Sequence, residues 1–440
     1  MLKSRLNLIS SVDGRYGEQT DELEKYFSEY SLIRTRIMCE LYYVKHIIKE
    51  IFNEDIKLNI PVVINNFTLE DAEKVKHIER DTNHDVKSVE IYLRNLFDEL
   101  DLSGHKEYIH FGLTSQDINS FSWNYLIREY LNNVYLPKLE RIIKQLGILS
   151  KESDCPMMSR THGQPATPTK MSKELMVFVS RLKKQYNILK KYNFSVKFSG
   201  AVGNHNAQQI SHPEIDWFKF TEDFLSDFDF DTQYPTTQIE IYDNLTELFD
   251  TMKRVNVILI DFCRDIWNYI SMDYFILKSN NEEVGSSTMP HKTNPINFEN
   301  AEGNLGISNA LLNYYSEKLP VSRLQRDLTD STVMRSLGTC NGHIIVSFNS
   351  ILNGLCKLDV NETKMKLELE NNWQVITEAI QTILRRENYE NPYEVLKQFS
   401  KNKEITRDDI IRLLFDLNIP KHIKKEISEI TPLNYLGIYK

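Results

Sequence analysis

The sequence predicts an all-α protein built on a long central helical bundle, and three observations predict it. From Ile241 through Leu245, Leu248, Met252, Val255, Leu259, Phe262 and Ile266 to Tyr269, apolar residues recur at alternating steps of four and three. That is a heptad seam long enough for coiled-coil-like packing. Two further stripes, Met171–Leu175–Phe178–Leu182–Leu189 and Tyr135–Leu139–Ile142–Leu146–Leu149, keep the helical period. No segment shows strand alternation of comparable strength, and no short repeat appears. Helices of this length belong in a bundle, one shared between subunits.

Length and composition set the remaining bounds. At 440 residues the chain exceeds one ordinary core. The breaks in pattern divide it into an N-terminal helical domain (1–112), the central bundle (113–360) and a C-terminal helical cap (361–440). With 41% hydrophobic and 26% charged residues it has the composition of a soluble globular protein. The net charge of −9, from 62 acidic and 53 basic residues, speaks against a nucleic-acid surface while allowing a local basic pocket. Five widely spaced cysteines form neither a disulfide framework nor a zinc cluster, which points to a reducing, cytoplasmic compartment. The start, MLKSRLNLISS, lacks the apolar run of a secretory signal, and nothing approaches a membrane span.

In chain order, SSVDGRYGEQT reads as a loop that presents Arg15 and Tyr16 between glycines; by itself it better suits a solvated N-terminal turn. Ile33, Ile37, Leu41, Val44, Ile48 and Ile51 then mark a long helix. The pattern breaks at Pro61, and Thr68 with Asp71 resembles a helix N-cap pair. A second break at ERDTNHD places Asn83, His84 and Asp85 at the start of a helix that continues through Val86, Val89, Leu93, Leu96 and Leu100. A lone histidine there is more often a cap or surface residue than a catalyst. Thr114 and Ser115 precede another helix, in a position that caps or binds an anion.

Irregular segments separate the bundle helices. SRTHGQPATP carries His162, and its prolines prevent a regular helix until Thr169. GAVGNHNA is broken by glycine, and YPTTQIE is expected to put Gln238 at the start of the heptad helix. LPVSRLQRDLTDSTVMRSLG sets Arg323, Arg326 and Arg335 among the hydroxyls of Ser322, Thr329, Ser331 and Thr332. Such a cluster can hold a phosphate; with Asp327 and Asp330 it can also be a solvated face of ion pairs.

GSSTMPHKTNPINFE, from Gly285 to Glu299, is a Gly/Ser loop running into a helix, with Lys292 at its base. Its composition suits a lid that closes on a carboxylate, and equally a solvated serine-rich loop. The chain has no P-loop, no G-x-S-x-G elbow, no H-E-x-x-H and no metal-ligand spacing. Acid–base work by a histidine and a serine, among cations and backbone amides, remains.

Gly285, Ser286, Ser287, Met289, Pro290, Lys292, Asn294 and Glu299 fit the pattern G-S-S-x-M-P-x-K-x-N-x-x-x-x-E. The loop thereby resembles the signature of the fumarase/aspartase superfamily, whose members eliminate fumarate from a succinyl group. The resemblance implies a three-domain fold whose central bundle forms a tetramer core. It implies Ser286 as the base, His162 as the acid, Glu299 as the carboxylate that orients the histidine, and Lys292 with Asn294 beside the developing charge.

Along almost the whole chain the match is closest to the bacterial-type adenylosuccinate lyase family. SSVDGRYG, ERDTNHDVKSVE, TSQDIN, SRTHGQPATP, GAVGN, TTQIE and LPVSRLQRDLTDSTVMR carry it. By this resemblance Arg15 and Tyr16 bind the nucleotide end, and Asn83, His84, Asp85, Thr114 and Ser115 line the succinyl and phosphate regions. Gln238, Lys292 and Asn300 hold the substrate. Arg326, Ser331, Thr332, Val333, Met334 and Arg335 complete the phosphate site. The implied substrates are adenylosuccinate and SAICAR, giving AMP, AICAR and fumarate, with no cofactor or metal. The implied assembly is a homotetramer with shared active sites. Gln116 stands where an acidic residue is expected, Ala301 where serine is common, and the chain ends early for the family. A sister lyase of the argininosuccinate type, needing no phosphate site, and a non-catalytic homologue are the alternatives.

Overall fold

The computed structural model describes residues 4–278, 288–289, 291–401 and 404–439. The fold is all-α. Among the described residues the strands form only three two-stranded sheets. No helix there is long and apolar enough to cross a membrane.

The helix Glu29–Phe52 opens where the Ser28 hydroxyl accepts the Ser31 N–H and closes at Asn53, whose φ is +51°. Ile33, Ile37, Leu41, Val44 and Ile48 are buried along it, as their spacing requires. Pro61 sits in the first turn of the helix Ile60–Asn66. Thr68 and Asp71 form a reciprocal capping box on the helix Leu69–Thr82. The break before the helix Asp85–Glu99 is then two residues long. Asn83, at φ +50°, ends one helix and His84 caps the next.

The heptad helix runs Asp243–Ser271 and buries Leu245, Leu248, Met252, Val255, Leu259, Phe262 and Ile266. It starts after Ile241, which is exposed. Gln238 therefore precedes this helix and does not open it, a correction to the sequence expectation. The intervening Ile239–Tyr242 are held by other contacts: Ile239 and Tyr242 are buried, and Glu240 is buried on polar partners.

The structure also changes the reading of SRTHGQPATP. It is a β-hairpin, with Pro156–Thr161 antiparallel to Gln164–Lys170. His162 and Gly163 are its two-residue turn, both at positive φ (+53° and +74°), as a right-twisted hairpin requires. The prolines that exclude helix are tolerated because a two-stranded ribbon consists only of edges.

The chain forms two compact units. The first comprises residues 1–140, 185–257 and 303–349; the second comprises 141–184, 258–302 and 350–440. Within the second, the C-terminal helices pack Leu369, Ile376, Ile380, Leu384, Leu414 and Ile427 around Met158 of the hairpin. That burial fixes the hairpin's base and leaves its turn outside.

Candidate active site

In the first unit two helix starts face one pocket, of about 410 Å3. His84 is the N-cap of Asp85–Glu99, and its Nδ1 accepts the Lys87 N–H at 3.1 Å. A neutral ring that accepts at Nδ1 carries its proton on Nε2, which lies 3.3 Å from Ser115 Oγ. Thr114 is the N-cap of Ser115–Tyr130, and its N–H donates to Asp117 Oδ2 at 2.8 Å. The aligned dipoles at both starts favour an anion between them.

Asp117 ties this wall to the GAVGN segment. Its Oδ1 accepts from Lys197 Nζ at 2.5 Å, from the Ser199 N–H at 2.9 Å and from the Gly200 N–H at 3.2 Å. Both side chains of the Lys197–Asp117 pair are fully buried. Burial pulls the Lys197 ammonium below its ordinary pKa, against the raising effect of Asp117. Gly203, at φ +84°, lets the segment pass the Thr236 carbonyl, which would lie 2.4 Å from any Cβ there. Gln238 is held beyond that turn, with Nε2 donating to the Ala201 carbonyl at 2.9 Å.

The opposite wall is the short helix Thr329–Met334 and the residues flanking it. Arg326, Ser331, Thr332 and Arg335 line the pocket with Asn83, His84, Asp85, Thr114, Ser115 and Gln238. Ten positions expected from separate segments are thus brought together. Val333 and Met334 turn into the core, at 7% and 1% exposure, and do not line the pocket. Arg323 is exposed and pairs with Asp327 at 3.2 Å, the solvated ion pair allowed by its sequence. Arg15 is exposed on the N-terminal turn and Tyr16 half-buried; neither lines this pocket.

Arg335 donates from Nη2 to Asp85 Oδ2 at 3.0 Å and lies 3.6 Å from Glu29. The same Asp85 oxygen accepts from Arg36 Nη2 at 2.8 Å. Burial works to raise the Asp85 pKa, yet Arg36, the Val86 N–H and Arg335 together hold it below the ordinary carboxylate value. Asp330, buried at 4% exposure, accepts from Gln116 Nε2 at 2.6 Å and from the Tyr242 hydroxyl at 2.9 Å. Gln116, where an acid was expected, supplies a donor to a carboxylate that a second acid would repel.

The second unit holds the other expected groups. His162 stands exposed at the hairpin turn. Lys292 is exposed, and its N–H meets the Met289 carbonyl at 3.4 Å. Glu299, in the first turn of the helix Ile296–Lys318, accepts the Trp267 indole N–H at 3.0 Å. Asn300 accepts the Ser350 hydroxyl at 2.8 Å. Ser286, the expected base, lies outside the described residues, as do Gly285, Ser287 and Pro290.

Sequence reading missed Arg36, Asp117, Lys197, Glu240 and Asp330 as parts of this framework. Asp117 had a local signal, being three residues after the Thr114 cap. The others act across long sequence separations, for which the chain carries no local mark.

Comparisons with known proteins extend over nearly the whole chain. The family described as Lyase matches residues 13–307, and that described as Adenylosuccinate lyase C-terminal matches residues 322–436. The adenylosuccinate lyase of Dictyostelium discoideum is 48% identical over 99% of this chain and 97% of its own length. That of Escherichia coli (strain K12) is 43% identical, over 99% and 97%. Among solved structures, 3-carboxy-cis,cis-muconate lactonizing enzyme from Pseudomonas putida superposes with a TM-score of 0.74 at 17% identity, covering 95% of this chain and 94% of that one. Fumarate lyase from Mesorhizobium sp. BNC1 gives 0.74 at 18% identity, covering 95% of each chain. At such low identity these two speak for the fold alone.

Proposed function

Because this chain belongs to the adenylosuccinate lyase family, we propose that it releases fumarate from adenylosuccinate to give AMP, and from SAICAR to give AICAR. The supporting observation is the pocket that gathers ten family positions from four stretches of one chain. Its hydroxyls, amides and arginines suit a ligand with both carboxylates and a phosphate.

In the proposed mechanism Ser286 removes a proton from the carbon beside the succinyl carboxylate. The electron pair first spreads onto that carboxylate, where Lys292, Asn294 and nearby amides meet the charge. The pair then forms the C=C bond of fumarate as the C–N bond breaks, and His162 protonates the leaving nitrogen. Glu299 orients the histidine, and Gln238, Lys292 and Asn300 hold the substrate. Arg15 and Tyr16 bind the nucleotide end, while Arg326, Ser331, Thr332 and Arg335 take the phosphate.

The same reading includes three consecutive domains, 1–112, 113–360 and 361–440, a cytoplasmic enzyme, and a homotetramer with active sites shared between chains. Apolar side chains left exposed along the long helices, Val257, Trp267, Ile307 and Tyr314, support the assembly. The exposed position of His162 suits a group delivered to a neighbour's site.

Complementation tests this reading. His162→Ala and Ser286→Ala should each lose most turnover while still binding substrate, since both act on protons in the transition state. Mixing the two after reversible dissociation should restore part of the activity, because some hybrid sites combine intact groups. Full inactivity of the mixture would place both groups on one chain, and near-normal turnover of Ser286→Ala would remove it as the base.

A further inference from the structure

Arg36 lies on the helix Glu29–Phe52 and does not line the pocket, yet it is bound to the pocket's charge pattern. It is 2% exposed. Its Nε donates to Asn119 Oδ1 at 2.9 Å and its Nη2 to Asp85 Oδ2 at 2.8 Å. Arg335, with a side chain 45% exposed, donates to that same oxygen at 3.0 Å. Asp85 Oδ1 is occupied by the Val86 N–H at 2.9 Å. One carboxylate oxygen thus serves two guanidinium groups, one locked in the core and one at the pocket.

We propose that Arg36 is a positioning residue for Arg335, neutralising Asp85 so that Arg335 is oriented at the pocket without being captured there. A guanidinium cannot lose its proton in a protein, and a buried one with two partners does not readily leave them. The Arg36–Asp85 pair therefore has no net charge, and Arg335 is held by a hydrogen bond to the shared Asp85 oxygen and by Glu29 at 3.6 Å. When a doubly charged phosphate arrives, Arg335 turns to it while Asp85 keeps Arg36 as its counter-charge. Without Arg36 the uncompensated Asp85 carboxylate would compete with the phosphate for Arg335.

Arg36 also shares a small cavity with the helix preceding Arg335. Arg36 and Asp330 line a common cavity of about 10 Å3, the size of one water. Each keeps one buried atom, Arg36 Nη1 and Asp330 Oδ1, without a hydrogen-bond partner among the described residues. A bridging water there would join Arg36 to the helix Thr329–Met334.

This inference rests on the reading that Arg335 contacts the substrate phosphate, and the experiment separates the two. Steady-state kcat/KM is measured for adenylosuccinate and for its dephosphorylated analogue, with Arg36→Gln, Arg335→Ala and the double variant beside the wild type. Arg36→Gln should reduce the preference for the phosphorylated substrate by roughly tenfold to a hundredfold, the range of one charge-assisted contact. It should change the analogue little, and it should have no further effect on preference once Arg335 is alanine. Arg36→Lys keeps the charge and should retain most of the preference. If Arg36→Gln does not fold, Asp85→Asn is compared with Arg36→Gln/Asp85→Asn. With the competing charge gone, the two should show equal preference. Equal losses on both substrates, or an Arg36 effect that persists without Arg335 or without the Asp85 charge, would overturn the proposal. If Arg335→Ala leaves the preference unchanged, the phosphate reading itself fails and this inference falls with it.

Discussion

His84 Nε2 faces Ser115 Oγ at 3.3 Å while His84 Nδ1 caps the helix behind it at 3.1 Å. One ring thus serves the fold with one nitrogen and the pocket with the other. The cap fixes the tautomer, so Nε2–H is the donor offered to the serine or to a ligand oxygen. Asparagine is also a good cap but cannot reach as far. His84→Asn should keep the melting temperature nearly unchanged and lower kcat/KM by at least about tenfold. His84→Ala should also lose about 1 kcal/mol of stability. Thermal melts beside kinetics check this; full activity in the asparagine variant would show that Nε2 is idle.

Glu240 gives a pH dependence. Burial pushes its pKa from the ordinary 4.5 up to about 7, against donors on Ser120, Asn124 and Gln233. The folded state therefore holds this proton more tightly than the unfolded chain. Its stabilising effect is complete below about pH 4.5 and is lost as pH rises through about 7. The total is about 3 kcal/mol at most. Glu240→Gln should remove that slope, becoming more stable than the wild type above pH 7 but not below pH 5. Denaturant unfolding across this range reads the difference, and parallel curves for the two proteins would contradict the assignment.

Lys197 and Asp117 form a fully buried pair at 2.5 Å. Removing only the cation should leave Asp117 uncompensated, though it keeps three backbone donors. Lys197→Met should cost about 3–5 kcal/mol. Adding Asp117→Asn should recover part of that loss, since no buried charge then remains unpaired. A melt in which the double variant is worse by the sum of both single losses would show that the two residues act independently.

The helices were legible because their signal is local. A stripe such as Ile33–Ile37–Leu41–Val44–Ile48 states its period within twenty residues, and Thr68 with Asp71 states a start. The hairpin around His162 was not legible, because Pro165 and Pro168 obscure strand alternation and a His–Gly turn is a faint mark. Gln238 was placed on a helix that begins only at Asp243, since the heptad spacing happens to extend back to Ile241. For the site, the cap residues His84 and Thr114 and the arginine–hydroxyl segment could be read directly. The charge framework could not: Arg36 meets Asp85 and Asn119, and Lys197 meets Asp117, across 49 to 83 residues. Folding alone creates those pairs.

The most direct measurement is fumarate release by the purified full-length protein, with adenylosuccinate and argininosuccinate supplied separately and Ser286→Ala as the control. Adenylosuccinate should yield fumarate and AMP in equal amounts, argininosuccinate should yield none above background, and the control should be inactive on both. Release from argininosuccinate alone would assign the pocket to a sister reaction, and release from neither would contradict an active lyase altogether.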